Sequence, residues 1–241
     1  MPNKYLSSDA TRGPRVREMF SRIAARYDFV NDLMSFGLHR RWKAETVRIA
    51  LDGAGTPTRV LDLCCGSGDL AFRAEQAGAK EVVGADFTLP MLAIARRRKT
   101  ASGSATRFVQ ADALALPFPD SFFDALTIAY GLRNVADLPA ALSEMRRVLA
   151  PGGRIAILDF GKPDSAAIRF LSGAWLRAAM PLIGRLFHGD ADTYRYIPES
   201  LERYPAQRGV ERLMRDAGFV HTRWQNRMLG AMGINVGEKP R

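Results

Sequence analysis

Gly66, Ser67 and Gly68 follow a short apolar run, and their spacing suits the binding of a small ligand. The apolar residues at 60–63 predict a buried strand. The two glycines after it allow a tight turn and leave room for a ligand against the backbone. A helix is expected over residues 70–76, with its first amides pointing back at the turn. Strand, glycine turn and helix together are typical of a nucleotide-type site.

Two carboxylates accompany this turn. Asp62 lies at the end of the first predicted strand, and Asp86 ends a second apolar stretch, eighteen residues past Gly68. An acidic residue at this distance can accept hydrogen bonds from both hydroxyls of a ribose. A dinucleotide site needs three glycines for its pyrophosphate, but Cys64 occupies the first of those positions. The pattern favours a ligand that carries a ribose and no phosphate.

A third strand is predicted from Arg107 to Gln110, and Asp112 and Ala113 follow it. The Asp112 carboxylate can reach an adenine amino group, while the next backbone amide meets the ring. An ordinary Asx turn is the alternative for Asp112. Both residues are therefore candidates for adenine binding.

The fourth predicted strand, residues 123–129, leads into Tyr130, Arg133 and Asn134. Open α/β sheets bind ligands at the carboxyl ends of their strands. We therefore expect the arginine and the amide of this segment at the ligand-binding edge.

Strands and short links alternate with helices up to Phe160, which predicts one α/β domain with a doubly wound, mostly parallel sheet. Five strands and a closing pair near the C-terminus give a seven-stranded sheet. Residues 1–55 are expected to form an N-terminal helical cap and residues 56–160 the cofactor-binding core. Residues 161–206 are expected to form a lid or substrate insertion after the fifth strand, followed by a C-terminal helix and closing strands at 207–241.

The composition is that of a basic globular protein. The 241 residues include 35 Lys and Arg against 25 Asp and Glu, a formal charge of +10, which attracts acidic partners such as nucleic acid or an anionic membrane surface. The only cysteines are Cys64 and Cys65, and adjacent cysteines lack the spacing of a metal site or a long-range disulfide. We expect a reducing, cytoplasmic location, and the polar N-terminus predicts no secretory signal peptide. The basic run at 96–99 is interpreted as a solvated helix end.

Residues 60–68 resemble motif I of the class I S-adenosylmethionine-dependent methyltransferases, which usually reads Val-Leu-Asp-Leu-Gly-Cys-Gly-Thr-Gly. Here Cys64 replaces a glycine and Ser67 a threonine. The resemblance implies a Rossmann-like class I methyltransferase fold, S-adenosyl-L-methionine as cofactor and no metal. The cofactor-binding residues are then expected at the ends of the first four strands: Asp62, Gly66, Ser67, Gly68, Asp86, Asp112, Ala113 and Ala129.

Four further blocks are similar to the C-methyltransferases of menaquinone and ubiquinone biosynthesis. They are Tyr27-Asp-x-x-Asn-x-x-x-Ser-x-x-x-His-x-x-Trp42, Gly131-Leu-Arg-Asn134, Tyr196-Ile-Pro-Glu-Ser200 and Gly233-Ile-Asn-Val-Gly237. This resemblance implies methylation of a ring carbon of a prenylated hydroquinone. Demethylmenaquinol is the preferred acceptor, and a polyprenyl benzoquinol is the alternative. Ala150, Asp159 and Gly161 depart from the family's more usual Lys, Glu and Ser.

The chemistry implied by the family needs an activated ring rather than a metal. A phenol ring becomes a better carbon nucleophile when its hydroxyl loses a proton. Arg133 is expected to stabilise the resulting oxyanion and Asn134 to orient the hydroxyl. Three candidates for the base stay open: His39, Tyr130 and a water polarised by Arg133.

The insertion carries an apolar helical segment around Trp175, flanked by Arg169, Arg177 and Arg185. Because the prenyl tail of the acceptor resides in a bilayer, we expect peripheral contact with anionic lipid at the inner face of the membrane. A helix packed inward or at a homodimer interface is the alternative for this segment.

Two other functions share the predicted fold. One is a nucleic-acid methyltransferase, but the chain has no Asn/Asp-Pro-Pro-Tyr/Phe motif, so no nucleic-acid partner is expected. The other is a noncatalytic protein that binds S-adenosylmethionine or another protein.

Overall fold

The computed structural model describes residues 37–52, 59–188 and 192–241, together with single positions at 18, 19, 21, 32 and 35. Much of the helical cap predicted for residues 1–55 therefore lies outside the described residues, and so does the first part of the signature that begins at Tyr27.

The core of the molecule is one seven-stranded sheet with the order β3-β2-β1-β4-β5-β7-β6. The five strands from β3 to β5 are parallel, and β7 is antiparallel to both of its neighbours. The predicted seven-stranded, mostly parallel sheet is thus confirmed. The strands are β1 (Arg59–Leu63), β2 (Glu81–Asp86), β3 (Arg107–Gln110), β4 (Phe123–Ala129), β5 (Leu149–Phe160), β6 (Val220–Arg227) and β7 (Met232–Glu238).

Seven α-helices connect or cover the described strands. They are α1 (Leu38–Leu51), α2 (Asp69–Gln76), α3 (Leu89–Ser102), α4 (Leu138–Val148), α5 (Ala166–His188), α6 (Asp192–Arg203) and α7 (Ala206–Asp216). Asp137 caps α4, since its side chain accepts a hydrogen bond from the backbone amide of Ala140. A 3-10 turn, Leu132–Asn134, follows β4.

Strand β5 begins earlier than the sequence predicts. The Pro-Gly-Gly run at 151–153 predicts a turn that leads into a strand starting at Arg154. Instead, Leu149 already pairs with Phe123 of β4, and a register irregularity between the two strands absorbs the intervening residues. The prediction placed the strand start wrongly because cross-strand pairing overrides the local turn signal.

Helices cover both faces of the sheet, as a doubly wound fold requires. On one face, Leu61 and Leu63 pack in a buried apolar cluster with residues of α4 and α7. On the other face, Val60 joins a second cluster with residues of α1, α2 and α3. Successive residues of β1 thus point to opposite faces, and both faces are buried.

The position of β1 in the sheet determines where a ligand binds. This strand pairs with β2 on one side and with β4 on the other. The chain therefore runs outward in one direction through β2 and β3 and in the other through β4 and β5. The crevice at the carboxyl ends of β1 and β4 is the topological switch point, where open α/β sheets bind ligands.

The insertion between β5 and α7 consists of α5 and α6. Tyr196 and Ser200 of α6 are buried, so this part of the insertion packs on the core. Among the residues that the structure describes, no helix is long and apolar enough to cross a bilayer.

The turn after β1 and the turn after β4 pack closely because Gly131 has no side chain. A Cβ atom placed on Gly131, after β4, would overlap the Cβ of Cys64, after β1, and would lie 2.9 Å from its Sγ. We expect Gly131→Ala to lower the free energy of unfolding by about 1–3 kcal/mol through overpacking. In a Cys64→Gly background the next obstacle is Ile128 Cγ1 at 3.3 Å, so most of this cost should disappear.

Denaturant unfolding of the four proteins in this double-mutant cycle measures the coupling. If Gly131→Ala lowers the free energy of unfolding equally in the wild-type and the Cys64→Gly backgrounds, the contact between the two turns is not the cause of the destabilisation.

Candidate active site

A cavity opens at the carboxyl edge of the sheet, over the turns that follow β1 to β4. It encloses about 1150 Å³ including its open mouth, and ligand pockets commonly measure about 300–1,000 Å³. Seven of the eight predicted cofactor-binding residues line this cavity: Asp62, Gly66, Ser67, Asp86, Asp112, Ala113 and Ala129. We call it the donor cavity.

Gly68 is the predicted residue that does not line the donor cavity. Its φ is +86°, and a Cβ there would lie 2.7 Å from the Phe108 ring. The glycine is thus needed for close packing between the turn and β3. Gly66 differs, because its φ of +54° also favours glycine but a Cβ placed on it would meet no atom within 4 Å. Gly66 faces open space in the cavity.

Asp86 both supports the glycine turn and faces the donor cavity. Its carboxylate accepts hydrogen bonds from the amide of Gly66 at 2.8 Å and from the amide of Thr88 at 2.7 Å. Burial raises the pKa of this carboxyl, and the two amide bonds oppose the rise. A carboxylate has about four acceptor sites, so acceptor capacity is left for the hydroxyls of a ribose.

Asp62 connects α2 to the sheet through its side chain. One carboxylate oxygen accepts from the amide of Ala71 in α2 and the other from Thr127 Oγ1 in β4, both at 3.0 Å. The residue is only 1% exposed, and burial raises its pKa to about 7 against the effect of these two bonds. Asp62 thus joins α2 to the sheet and also lines the donor cavity, and its role in cofactor binding stays a prediction.

Asp112 and Ala113 lie together at the far end of the donor cavity. Asp112 Oδ1 accepts a hydrogen bond from the amide of Leu114 at 2.9 Å, so the Asx turn considered from the sequence is present. The turn leaves the side chain exposed and fixes where it stands at the cavity rim. Asp112 can therefore form the Asx turn and still present its carboxylate to an adenine amino group.

Tyr130 stands at the boundary of the donor cavity in a conformation that is rare for a non-glycine residue, with φ of +59°. Its amide donates to the carbonyl of Leu158 in β5 at 2.8 Å. Its own carbonyl accepts from Arg133 Nη1 at 2.6 Å and from Asn134 Nδ2 at 3.2 Å. Three hydrogen bonds hold this turn in place.

Arg133 was expected to contact a substrate oxyanion, and its side chain is buried against Asp159 and Phe160. The side chain is 6% exposed, its Nη1 lies 2.8 Å from Asp159 Oδ1, and its guanidinium stacks 4.9 Å from the centre of the Phe160 ring. Arg133 is not among the described residues that line the donor cavity or the second cavity described next. The guanidinium is engaged by Asp159 and the Tyr130 carbonyl, and direct contact with an oxyanion stays a prediction.

A second cavity, of about 740 Å³, adjoins the first at Tyr130, which lines both. We call it the acceptor cavity. Its wall is mostly apolar, and α1, the end of β5, the insertion and the segment before β7 contribute to it. The lining residues include His39, Trp42, Phe160, Trp175, Leu176, Leu201 and Met232.

His39 lines the wall of the acceptor cavity, as Tyr130 does, and its side chain is buried rather than solvated. Its Nδ1 lies 2.7 Å from Ser35 Oγ and 3.7 Å from Asp32 Oδ1. Burial lowers the pKa of the imidazole, with Lys43 adding to the effect. The ring is therefore neutral at physiological pH, and the nearby carboxylate favours the proton on Nδ1.

Sequence reasoning missed three residues of this region. Lys43 lines the donor cavity, and Tyr196 donates its hydroxyl to Asn134 Oδ1 at 2.9 Å. Arg98, assigned to a solvated helix end, donates to the carbonyl and hydroxyl oxygens of Ser67, both at 3.0 Å. The available signal for Lys43 was its position four residues after His39, on the same helix face.

Comparison with known proteins agrees with the geometry. Residues 8–239 match the profile of the ubiE/COQ5 methyltransferase family. The chain belongs to this family. It is 49% identical to the demethylmenaquinone methyltransferase of Thermus thermophilus over 92% of this chain and 100% of that one. It is 42% identical to the ubiquinone/menaquinone biosynthesis C-methyltransferase UbiE of Cellvibrio japonicus over 95% and 93%.

Solved structures share the fold at lower identity. The PH0226 protein of Pyrococcus horikoshii has a TM-score of 0.61 at 23% identity, over 83% of this chain and 91% of that one. The phosphoethanolamine N-methyltransferase 2 of Haemonchus contortus, solved with S-adenosylhomocysteine, has a TM-score of 0.61 at 16% identity, over 87% and 58%. The family and the cofactor expected from the sequence are confirmed: the protein is an S-adenosylmethionine-dependent methyltransferase.

The hydrogen bonds of Asp86 predict the effect of neutralising it. Asp86→Asn should weaken binding of S-adenosylmethionine about tenfold to hundredfold, since hydrogen bonds to a charged acceptor contribute about 1.5–3 kcal/mol. The asparagine side chain also has only one acceptor oxygen, whereas the carboxylate has two. Isothermal titration calorimetry measures the affinity, with the exposed Asp216→Asn as the matched control. Unchanged affinity in Asp86→Asn would remove this carboxylate from the cofactor site.

Proposed function

We propose that the protein transfers the methyl group of S-adenosylmethionine to a ring carbon of a prenylated hydroquinone, with demethylmenaquinol as the preferred acceptor. The observation that carries the proposal is the meeting of the donor and acceptor cavities at Tyr130. A relative named demethylmenaquinone methyltransferase, 49% identical, supports the choice of acceptor.

The order of the strands suggests how the cofactor lies in the donor cavity. Adenine is proposed at Asp112 and Ala113 after β3, and the ribose at Asp86 after β2. The methionyl group then crosses the turn after β1, and the sulfonium methyl faces Tyr130 after β4. The cofactor spans the carboxyl edge of four neighbouring strands in their spatial order.

The acceptor cavity suits an aromatic ring and the start of an apolar tail. Trp42, Phe160 and Trp175 contribute flat apolar surface to its wall. Residues of the insertion, including Trp175 and Leu176, form part of that wall, which supports the assignment of residues 161–206 as a substrate insertion. With the donor and acceptor in adjoining cavities, a ring carbon and the methyl group can be aligned and shielded from water.

His39 is the proposed base. With a proton on Nδ1, its Nε2 can accept the proton of a quinol hydroxyl. S-adenosylmethionine, held in the donor cavity, would supply an electrophilic methyl group to the electron-rich ring carbon and would leave as S-adenosylhomocysteine, which keeps the electron pair of the methyl-sulfur bond. The ring proton would pass to water, which restores aromaticity. In this scheme Arg133 and Asn134 are positioning residues, because both donate to the carbonyl of Tyr130.

A methyl-transfer assay tests the proposed activity. Radiolabelled S-adenosylmethionine is supplied with demethylmenaquinol, with a prenylated benzoquinol, or with RNA. Label should appear on the ring of demethylmenaquinol, faster than on the benzoquinol. Preference for the benzoquinol would reassign the acceptor, and cofactor binding without transfer to any of the three would favour a noncatalytic role.

The lowered pKa of His39 predicts a specific pH profile. The ring stays neutral and able to accept a proton at pH values below the ordinary histidine pKa of 6.5. We therefore expect kcat/KM to fall only when the pH drops through the lowered pKa of His39. His39→Gln should reduce kcat about 10²- to 10⁴-fold and should abolish the fall of kcat/KM at low pH, which is the acidic limb of the profile. A His39→Gln enzyme that keeps the limb and most of its kcat would exclude His39 as the base.

The outer face of α5 supports a proposal for membrane contact. Phe170, Leu171 and Trp175 are 69%, 65% and 56% exposed, and Arg169 and Arg177 lie on the same helix. An apolar face with neighbouring arginines on a chain of formal charge +10 suits peripheral docking on anionic lipid. Because Trp175 also lines the acceptor cavity, docking there would bring the cavity to the prenyl tail.

Vesicle sedimentation tests this docking. Phe170→Ser/Leu171→Ser should weaken binding to vesicles of anionic phospholipid about tenfold or more, while Val220→Ser, an exposed apolar residue at the opposite edge of the sheet, should leave it unchanged. Binding that is indifferent to lipid charge, or equal in all variants, would contradict docking. A wild-type dimer that the double substitution dissociates would instead assign the face to a homodimer.

A further inference from the structure

Lys43 is a buried cation on the wall of the donor cavity. Its side chain is 6% exposed, and its Nζ lies 3.1 Å from Asp69 Oδ2 in the first turn of α2. Lysine is almost never buried without a charged partner. Its ammonium group has three donors, so the contact with Asp69 leaves capacity for a second anionic group.

Three cations surround Asp69 at the end of the cavity that contains Lys43. Asp69 also contacts Arg73, whose Nε lies 3.2 Å from Oδ1, and Arg98 is held nearby at Ser67. Burial acts to raise the pKa of Asp69, but the charges of Lys43 and Arg73 hold it below its usual range. Three cations thus act on the carboxylate of Asp69, and the ammonium group of Lys43 can also attract the carboxylate of a ligand.

The proposed position of the cofactor brings one such group to this end. Adenine and ribose occupy the turns after β3 and β2, so the methionyl group lies beyond them, over the turn after β1. Lys43 reaches the cavity on this side, from α1, together with Asp69 and Leu70. The methionyl group ends in an α-carboxylate.

We propose that Lys43 binds the α-carboxylate of S-adenosylmethionine and makes the donor cavity selective for nucleosides that keep it. This inference rests on the proposed placement of the cofactor. Asp69 holds the ammonium group of Lys43 in position, and Arg73 keeps Asp69 ionised.

The position of Lys43 also relates the two cavities. His39 and Lys43 are four residues apart on α1, so their side chains lie on one helix face. His39 lines the acceptor cavity and Lys43 the donor cavity. A single helix therefore fixes the proposed base and the far end of the methyl donor relative to each other.

Binding measurements with two nucleosides test the role of Lys43 without any quinol. S-adenosylhomocysteine carries the carboxylate, and its decarboxylated analogue, S-adenosyl-3-thiopropylamine, lacks it. Wild-type protein should bind the first about tenfold to hundredfold more tightly, as expected for a hydrogen-bonded ion pair. In Lys43→Met this preference should fall to near one, through weaker binding of S-adenosylhomocysteine alone.

Controls separate recognition from folding. Arg41→Met removes an exposed cation from the same helix and should keep the preference, while Lys43→Arg should retain most of it. If Lys43→Met does not fold, Lys43→Gln and the wild-type preference itself still decide the outcome. Equal weakening of both nucleosides in the Lys43 variants, or no preference in the wild type, would overturn the proposal. Failure of the wild type to bind either nucleoside would instead count against the cofactor placement.

Discussion

A buried ion pair between Arg133 and Asp159 is the interaction on which the arrangement of the site depends. Arg133 Nη1 bridges Asp159 and the carbonyl of Tyr130, and so keeps Tyr130 in a left-handed conformation that costs on the order of 1–3 kcal/mol. Both partners are nearly inaccessible to water. Removing one partner of such a pair typically costs about 3–5 kcal/mol, because the other charge is left buried and unpaired. Tyr130 in turn is the wall that the donor and acceptor cavities share.

This arrangement connects the insertion to the boundary between the two cavities. Asn134 supports the Tyr130 carbonyl, and the hydroxyl of Tyr196 from the insertion donates to the Asn134 side chain. A hydrogen-bonded path thus leads from the insertion to the boundary between the two cavities. The acceptor side is formed by the same insertion and by α1, which also reaches the donor side. The positions of donor and acceptor are set by packed elements of the fold rather than by a single loop.

The fold and much of the donor cavity could be predicted from the sequence because their signals are local. Alternating apolar strands and helices predict the sheet, and the distance from Gly68 to Asp86 predicts a carboxylate at the neighbouring strand end. The roles of Asp62 and Arg133 could not be predicted in this way. Each depends on a partner distant in sequence, Thr127 for Asp62 and Asp159 for Arg133, and only the register of β1, β4 and β5 brings these partners together. Arg98 was misassigned for the same reason, since its contact with Ser67 crosses from one helix to the turn before another.

The central claim is that methyl donor and acceptor meet at Tyr130, each in its own cavity. A crystal structure with S-adenosylhomocysteine and a short-chain menaquinone analogue bound together tests this claim most directly. It should place the thioether sulfur against Tyr130 and the quinone ring in the cavity lined by His39, Trp42 and Phe160. A quinone ring bound outside this cavity, or a sulfur directed away from Tyr130, would contradict the account.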